Sequence, residues 1–375
     1  MTAGKTANIA TNTAIDTADY RAIFLNDVPM MDARAPVEFA KGAFPGVVNL
    51  PLMSDDERQA VGTCYKQQGQ QAAIEMGHRR VSGELKAERI AAWASFARAH
   101  PDGLLYCFRG GLRSQIVQEW LHTEAGIDYP RVTGGYKALR TFLIESLLHD
   151  LAQSRFVVLG GLTGSGKTEL LYQLPHSVDL EGHANHRGSG FGSRPTGQPG
   201  QIDFENRLAI DLLKKRAQGH VHFVLEDEGT NIGRCSVPLA LREIMAQAPL
   251  VWLEVPFEER VDRILCDYVV AQHADFVTAY GEAQGGVLFR EHLLGSLAKI
   301  AQRLGGERYQ QLDGVMQAAL RAPQAGDLAL HREWVVALLH GYYDPMYAFQ
   351  RHKRAERIVF AGDAPAVLAY LRAQA

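Results

Sequence analysis

The sequence lacks the features that mark a secreted or membrane-bound chain. Its 375 residues contain four cysteines, Cys64, Cys107, Cys235 and Cys266, and no two stand at C-x-x-C or another zinc-ligand spacing. Nothing therefore supports a disulfide framework or a structural zinc site, and a reducing cytoplasmic setting is expected, in which a lone thiol persists. No run is apolar and long enough to cross a bilayer. The Thr- and Ala-rich stretch before Tyr20 lacks the apolar centre of a secretion signal. There is no internal repeat. The formal net charge is only −3, so no general basic field attracts a polyanion. A nucleic-acid partner would have to be held by local basic patches.

What is present is apolar mass, 46% of the residues, enough for two domain cores. Residues 1–17 read as a flexible tail, 18–142 as one α/β domain and 150–375 as a second, with a linker near 145–154. Short apolar strands are expected at 28–32, 104–106, 156–159, 221–225, 250–255 and 358–360. Helical spacing follows at 85–100, 114–122 and 365–372, and a mostly helical insertion at about 271–350. Strand–loop–helix units in series imply parallel sheets.

Cys107 stands where the strand at 104–106 meets the following helix, for which Ser114 is the expected cap. In Cys107-Phe-Arg-Gly-Gly-Leu-Arg113, two glycines let the loop curl around an anion. Arg109 and Arg113 are the only charges between Asp102 and Glu119. Loop amides and a helix N-terminus favour negative charge on sulfur, so Cys107, Arg109 and Arg113 are the candidate catalytic set. Cys64, Cys235 and Cys266 lack such a setting and read as structural thiols.

Asp32-x-Arg34-x-x-x-Glu38-Phe39-x-x-Gly42-x-x-Pro45-Gly46-x-x-Asn49-Leu50-Pro51 resembles the opening signature of the rhodanese family, and Val132-x-Gly134-Gly135-Tyr136 its closing one. The resemblance covers about residues 18–140 and implies a cysteine that carries sulfur or selenium as a persulfide or perselenide. The spacing C-x5-R between Cys107 and Arg113 departs from common single-domain rhodaneses and is that of phosphatases of related fold. A loop this wide suits a tetrahedral oxyanion. The expectation is that it cradles the phosphate of selenophosphate while Cys107 takes the selenium.

Gly161-Leu-Thr-Gly-Ser-Gly166-Lys167-Thr168 fits G-x-x-x-x-G-K-S/T, between an apolar strand and a helix-forming stretch. Gly161, Gly164, Ser165 and Gly166 would wrap phosphates in backbone N–H groups. Lys167 would neutralise charge and Thr168 would hold Mg²⁺. Glu226-Asp227-Glu228 ends a later strand, and Asp227 is expected as the Mg²⁺-linked carboxylate, with Glu226 close behind. Arg260 and Arg263 fit either a lid over phosphates or a solvated helix face.

Two stretches suit RNA. Residues 183–200 form a long glycine-rich loop with His186, Arg187 and Arg194 and no acid. Tyr342-Tyr-Asp-Pro-Met-Tyr347 precedes Arg351 and Arg354, aromatics beside cations. The tyrosines read equally as core.

The cysteine loop, the phosphate loop, Asn185-His-Arg-Gly188 and Tyr342–Tyr347 together resemble the bacterial tRNA 2-selenouridine synthase family over nearly the whole chain. The resemblance implies an N-terminal rhodanese-like parallel-sheet domain and a P-loop NTPase-like α/β domain with a helical insertion. It implies geranylation of 2-thiouridine at the wobble position of the tRNAs for Lys, Glu and Gln. Selenium from selenophosphate then replaces the S-geranyl group. Geranyl diphosphate and selenophosphate are the implied co-substrates, with Mg²⁺ as a possible cofactor and selenophosphate synthetase as a possible partner. Three other readings stay open on the residues alone. They are an ATP-dependent tRNA sulfurtransferase, a C-x5-R phosphatase, and a non-catalytic P-loop switch with an RNA-docking module.

Overall fold

Three very short strands organise the first half of the chain: β1 (Met30–Asp32), β2 (Val48–Asn49) and β3 (Leu104–Tyr106), parallel in the order β2-β1-β3. The structure, a computed structural model, describes residues 16–321 and 328–374. It divides into two units, Met1–Leu147 and Leu148–Ala375. Every residue of β1 and β3 is buried, as expected of strands covered on both faces. Trp93, Leu105, Val117, Leu121 and Tyr129 form the heart of this unit's core.

Single bridges widen the sheet: Leu105 pairs with Arg131 and Thr17 with Val132. The expected free tail therefore stops short of residue 17. The Asp16 carboxylate accepts from the Arg131 backbone N–H at 2.9 Å, and Thr17 N–H donates to Arg131 O at 3.0 Å. Residues 1–15 of that tail lie outside the described residues. The expected linker at 145–154 is mostly helix, within Gly135–Ala152. Leu139, Leu143, Leu147 and Leu151 recur every four residues and are all buried, a stripe that holds a helix to a core.

The opening signature is a buried network. Asp32 and Arg34 are 0% and 1% exposed. Arg34 Nε donates to Asp32 Oδ2 at 2.7 Å, and its NH2 donates to Gly42 O at 2.8 Å. Asn49 Nδ2 donates to the carbonyls of Asp32 and Arg34, both at 2.9 Å. Burial pushes the Asp32 carboxyl up, against the opposing pull of Arg34. The ion pair fixes the chain leaving β1, and the Asn49 amide ties that chain to β2, next to the strand that carries Cys107.

The second unit is built on a sheet of five parallel strands. In chain order these are β4 (Arg155–Gly161), β5 (Ser177–Val178), β6 (His222–Glu226), β9 (Leu250–Leu253) and β10 (Ile358–Gly362). A small antiparallel pair, β7 (Asn231–Ile232) and β8 (Cys235–Ser236), lies between β6 and β9 in sequence. The sheet order is β10-β9-β4-β6-β5. The central strand β4 therefore delivers the phosphate loop at its C-terminal end, where parallel α/β sheets bind ligands. Leu159, Leu171, Val224, Val251 and Leu371 build the sheet's core.

Helices dominate the described residues from Phe257 to Lys353, with a separate core around Phe191, Leu297, Met316, Trp334 and Leu338. Two π-helical segments, Leu265–Ala271 and Leu339–Tyr343, interrupt them, a distortion frequent at functional sites. The glycine-rich loop at 183–200 packs onto this helical core through Phe191, and His186 bridges Ser193 within it.

Candidate functional site

The cysteine loop leaves β3 and enters the helix Leu112–Ala125. Cys107 is 3% exposed. Its Sγ lies 3.3 Å from Ser114 Oγ and 3.9 Å from Gly111 O. Ser114 is not the expected cap: Gly111 holds that position, and the Ser114 hydroxyl donates back to Gly111 O at 2.9 Å. The carbonyls of Cys107 and Phe108 accept from the N–H groups of Tyr136 and Lys137, each at 2.9 Å. Those bonds occupy the loop's first carbonyls. They also explain the closing signature. Gly134 and Gly135 have φ of +72° and +58°, and a Cβ on Gly135 would sit 2.2 Å from Cys107 O.

Arg113 is clamped by Glu38, with NH1–Oε2 at 2.5 Å and NH2–Oε1 at 3.2 Å, and Glu38 also pairs with Arg58 at 3.0 Å. Burial works against the Arg113 charge. Hydrogen bonds and the charge of Glu38, with a smaller pull from Cys107, nevertheless hold its pKa above the ordinary value. Arg109 is exposed, its guanidinium 5.9 Å from the centre of the Phe108 ring. Next to the loop an apolar groove of about 630 Å³ is lined by Val61, Ile74, Leu112, Ile116 and Trp120, with Arg58, Lys66 and Arg113 among its polar groups.

In the second unit, Gly164 and Gly166 take φ of +77° and +79°, conformations that favour glycine. Lys167 Nζ donates to Gly161 O at 3.1 Å, across the loop it must serve. Ser165 Oγ is buried and has no hydrogen-bond partner among the described residues. A cavity of about 220 Å³ opens over the loop. Arg187, Arg194 and Arg263 face it from one set of segments, and Glu181, Glu226 and Glu228 from another.

Thr168 Oγ1 donates to Glu226 Oε1 at 2.9 Å. Glu226, and not Asp227, is therefore the carboxylate at the threonine. Asp227 instead forms a two-point ion pair with Arg354 at 2.6 and 2.7 Å. The same pair holds Arg354, partly buried, against the carboxylate next to the threonine site. Oxygens of Glu181, Glu226 and Glu228 lie within 4.8 Å of one another. Burial, then mutual repulsion, drives the carboxyls of Glu226 and Glu228 well above the usual range, and Glu181 also rises through burial. Three such oxygens beside a threonine hydroxyl suit a hard cation such as Mg²⁺.

The remaining expected residues divide. His186 is buried, its Nδ1 has no hydrogen-bond partner among the described residues, and burial lowers its pKa, so it is not an RNA contact at the surface. Arg187 donates to Asp267 O at 2.7 Å and lines the phosphate cavity, as does Arg194. Arg351 pairs with Glu254 at 2.9 Å on the exterior. Arg260 is buried and binds Asp344 at 2.8 Å twice, and also donates to Thr163 O at 3.2 Å. Arg263 donates to Gly164 O at 3.0 Å. Tyr347 hydrogen-bonds Thr163 and lines the cavity. The Tyr342–Tyr347 motif is thus a clamp on the phosphate loop rather than a platform for bases. A narrow apolar slot shares Thr163, Ser189 and Tyr268 with the cavity and is continued by Phe191, Trp334 and Leu338.

Comparison with known proteins converges on one family. A family model described as the tRNA 2-selenouridine synthase AAA domain matches residues 154–375. A tRNA 2-selenouridine synthase of Azotobacter vinelandii is 65% identical over 95% of this chain and 97% of its own length. One from Pseudomonas putida is 64% identical over 96% of this chain and 99% of its own. One from Verminephrobacter eiseniae is 65% identical over 96% and 98%. With the model matching more than half of the chain and relatives this similar along nearly all of it, the chain belongs to the tRNA 2-selenouridine synthase family.

Proposed function

We propose that this protein converts 2-thiouridine in tRNA to 2-selenouridine in two steps run by different units. The observation that carries the reading is the pairing, in one chain of this family, of a cysteine loop with a phosphate loop that share no residue. Substrate tRNAs are those for Lys, Glu and Gln, modified at the wobble position.

In the first step the phosphate loop holds the diphosphate of geranyl diphosphate. The thiocarbonyl sulfur forms a bond to the terminal allylic carbon as the C–O bond breaks and diphosphate departs. Lys167, Arg187, Arg194 and Arg263 neutralise the departing charge, which is worth most in a site shielded from water. Glu226, Thr168 and the neighbouring glutamates would hold Mg²⁺, which supplies further charge neutralisation when bound. The apolar slot continues the phosphate cavity with side chains of the right polarity for a prenyl tail. At about 30 Å³ it accepts that tail only if Trp334 and Tyr343 part.

In the second step the S-geranyl nucleoside meets the cysteine loop. S-alkylation makes C2 more electrophilic and turns sulfur into a leaving group. A cavity of about 150 Å³ holds a six-carbon ring, so the 630 Å³ groove beside Leu112 and Arg113 has room for ten carbons.

The test is a Lys167→Ala variant. It should lose geranylation by on the order of a hundredfold or more and still selenate RNA that was geranylated beforehand. Equal loss of both steps contradicts the division.

A further inference from the structure

We infer that the cysteine loop splits the selenium–phosphorus bond of selenophosphate by taking the phosphoryl group onto Cys107, and frees selenide rather than carrying selenium itself. This rests on the reading that selenophosphate is the selenium donor.

Electron counting comes first. In selenophosphate, selenium already has the oxidation state of selenide and phosphorus is fully oxidised. To place that selenium on a thiolate as a perselenide, two electrons must leave the pair. Phosphorus would have to be reduced to phosphite, or an oxidant would be required. Attack at phosphorus needs neither. The Cys107 thiolate forms an S–P bond as the Se–P bond breaks: Cys–S⁻ + HSe–PO₃²⁻ gives Cys–S–PO₃²⁻ + HSe⁻. Water then cleaves the S–P bond, giving Cys–S⁻ + H₂PO₄⁻. The hydroselenide attacks C2 of the S-geranyl nucleoside and expels geranylthiolate, which takes up a proton.

The loop is built for those two displacements. The sequence reads Cys-x5-Arg-Ser, and the structure sets Ser114 Oγ 3.3 Å from Cys107 Sγ on the same helix N-terminus that carries Arg113. By turning its one O–H from Gly111 O to that sulfur, Ser114 stabilises the thiolate that departs from phosphorus. Arg113 spends two of its five N–H donors on Glu38, which leaves the others for phosphoryl oxygens in a fixed plane. The bidentate clamp sets that plane. The carbonyls of Cys107 and Phe108, which would repel an anion, are taken up by Tyr136 and Lys137.

The experiment uses the full chain with S-geranylated RNA and selenophosphate labelled in either phosphorus or selenium, followed by digestion and recovery of the Cys107 peptide. Phosphorus label should appear on Cys107, and none in Cys107→Ala. In Ser114→Ala it should accumulate toward one per chain, because hydrolysis is slowed on the order of ten- to a hundredfold. Ser114→Thr should restore hydrolysis. Selenium label on Cys107 overturns the proposal. So does Cys107-dependent selenide release with no phosphorus label in Ser114→Ala. Wild-type protein that leaves selenophosphate intact overturns the donor reading as well.

Discussion

The two loops use one backbone device in different company. Each follows a short buried parallel strand, curls on glycines and opens a helix. Around Cys107 there is one clamped arginine and one hydroxyl. Around the phosphate loop there are three arginines facing three glutamates. The backbone supplies a cradle for an anion in both cases. What faces the cradle decides whether the anion is attacked by sulfur or neutralised as a leaving group.

A buried ion pair stands near each loop, Asp32–Arg34 on the strand beside the one that carries Cys107 and Arg260–Asp344 against Thr163, and breaking these pairs should give the largest effects. Asp32→Ala leaves Arg34 buried without its partner, which costs about 3–5 kcal/mol in denaturant unfolding of the first unit. A loss below about 1 kcal/mol would show that the network is not what holds the loop.

The carboxylates separate the loops by pH. The raised pKa values of Glu226 and Glu228 mean that the folded state binds more protons than the unfolded one. Without a divalent cation, stability conferred by that proton binding is present near and below the ordinary glutamate range and is lost as pH rises toward the elevated values. Mg²⁺ should reverse the trend. Its stabilisation, about 2.7 kcal/mol at a hundredfold excess over Kd, should grow between pH 5.5 and 8 in thermal melts. A Mg²⁺ increment that does not change with pH contradicts the assignment. The first unit, with no such cluster among its described residues, should not respond.

Glu38→Gln should loosen Arg113 and slow selenation of geranylated RNA about tenfold, some 1.4 kcal/mol, with geranylation unchanged. A matching fall in both steps would erase the distinction between loops. The smallest effect is at the exterior. Arg351→Glu should weaken tRNA binding a few-fold and lower the salt slope by about one; an unchanged slope removes this residue from the RNA surface.

How much was legible follows from sequence distance. The phosphate loop and the cysteine loop are contiguous, and their glycine spacing states the backbone they need. Glu226 was harder, because β6 is buried from Phe223 to Glu226 and no alternation marks which acid faces Thr168. Asp227 is the carboxylate the sequence favours, and Arg354, 127 residues away, holds it instead. Asp344 lies 84 residues from Arg260, so the tyrosine motif carried no local sign of its clamp. His186 read as a surface cation because a glycine-rich stretch without periodicity hides its packing against the helical core. Arg113 was legible as a loop cation, but its partner Glu38 stood inside a signature that gave it no such role.

The division of labour is tested most directly by the product profile of Cys107→Ala. Supplied with 2-thiouridine RNA, geranyl diphosphate and selenophosphate, it should accumulate S-geranyl-2-thiouridine and form no 2-selenouridine by mass analysis. Selenouridine formed at the wild-type rate, or no geranylated product, would contradict the account.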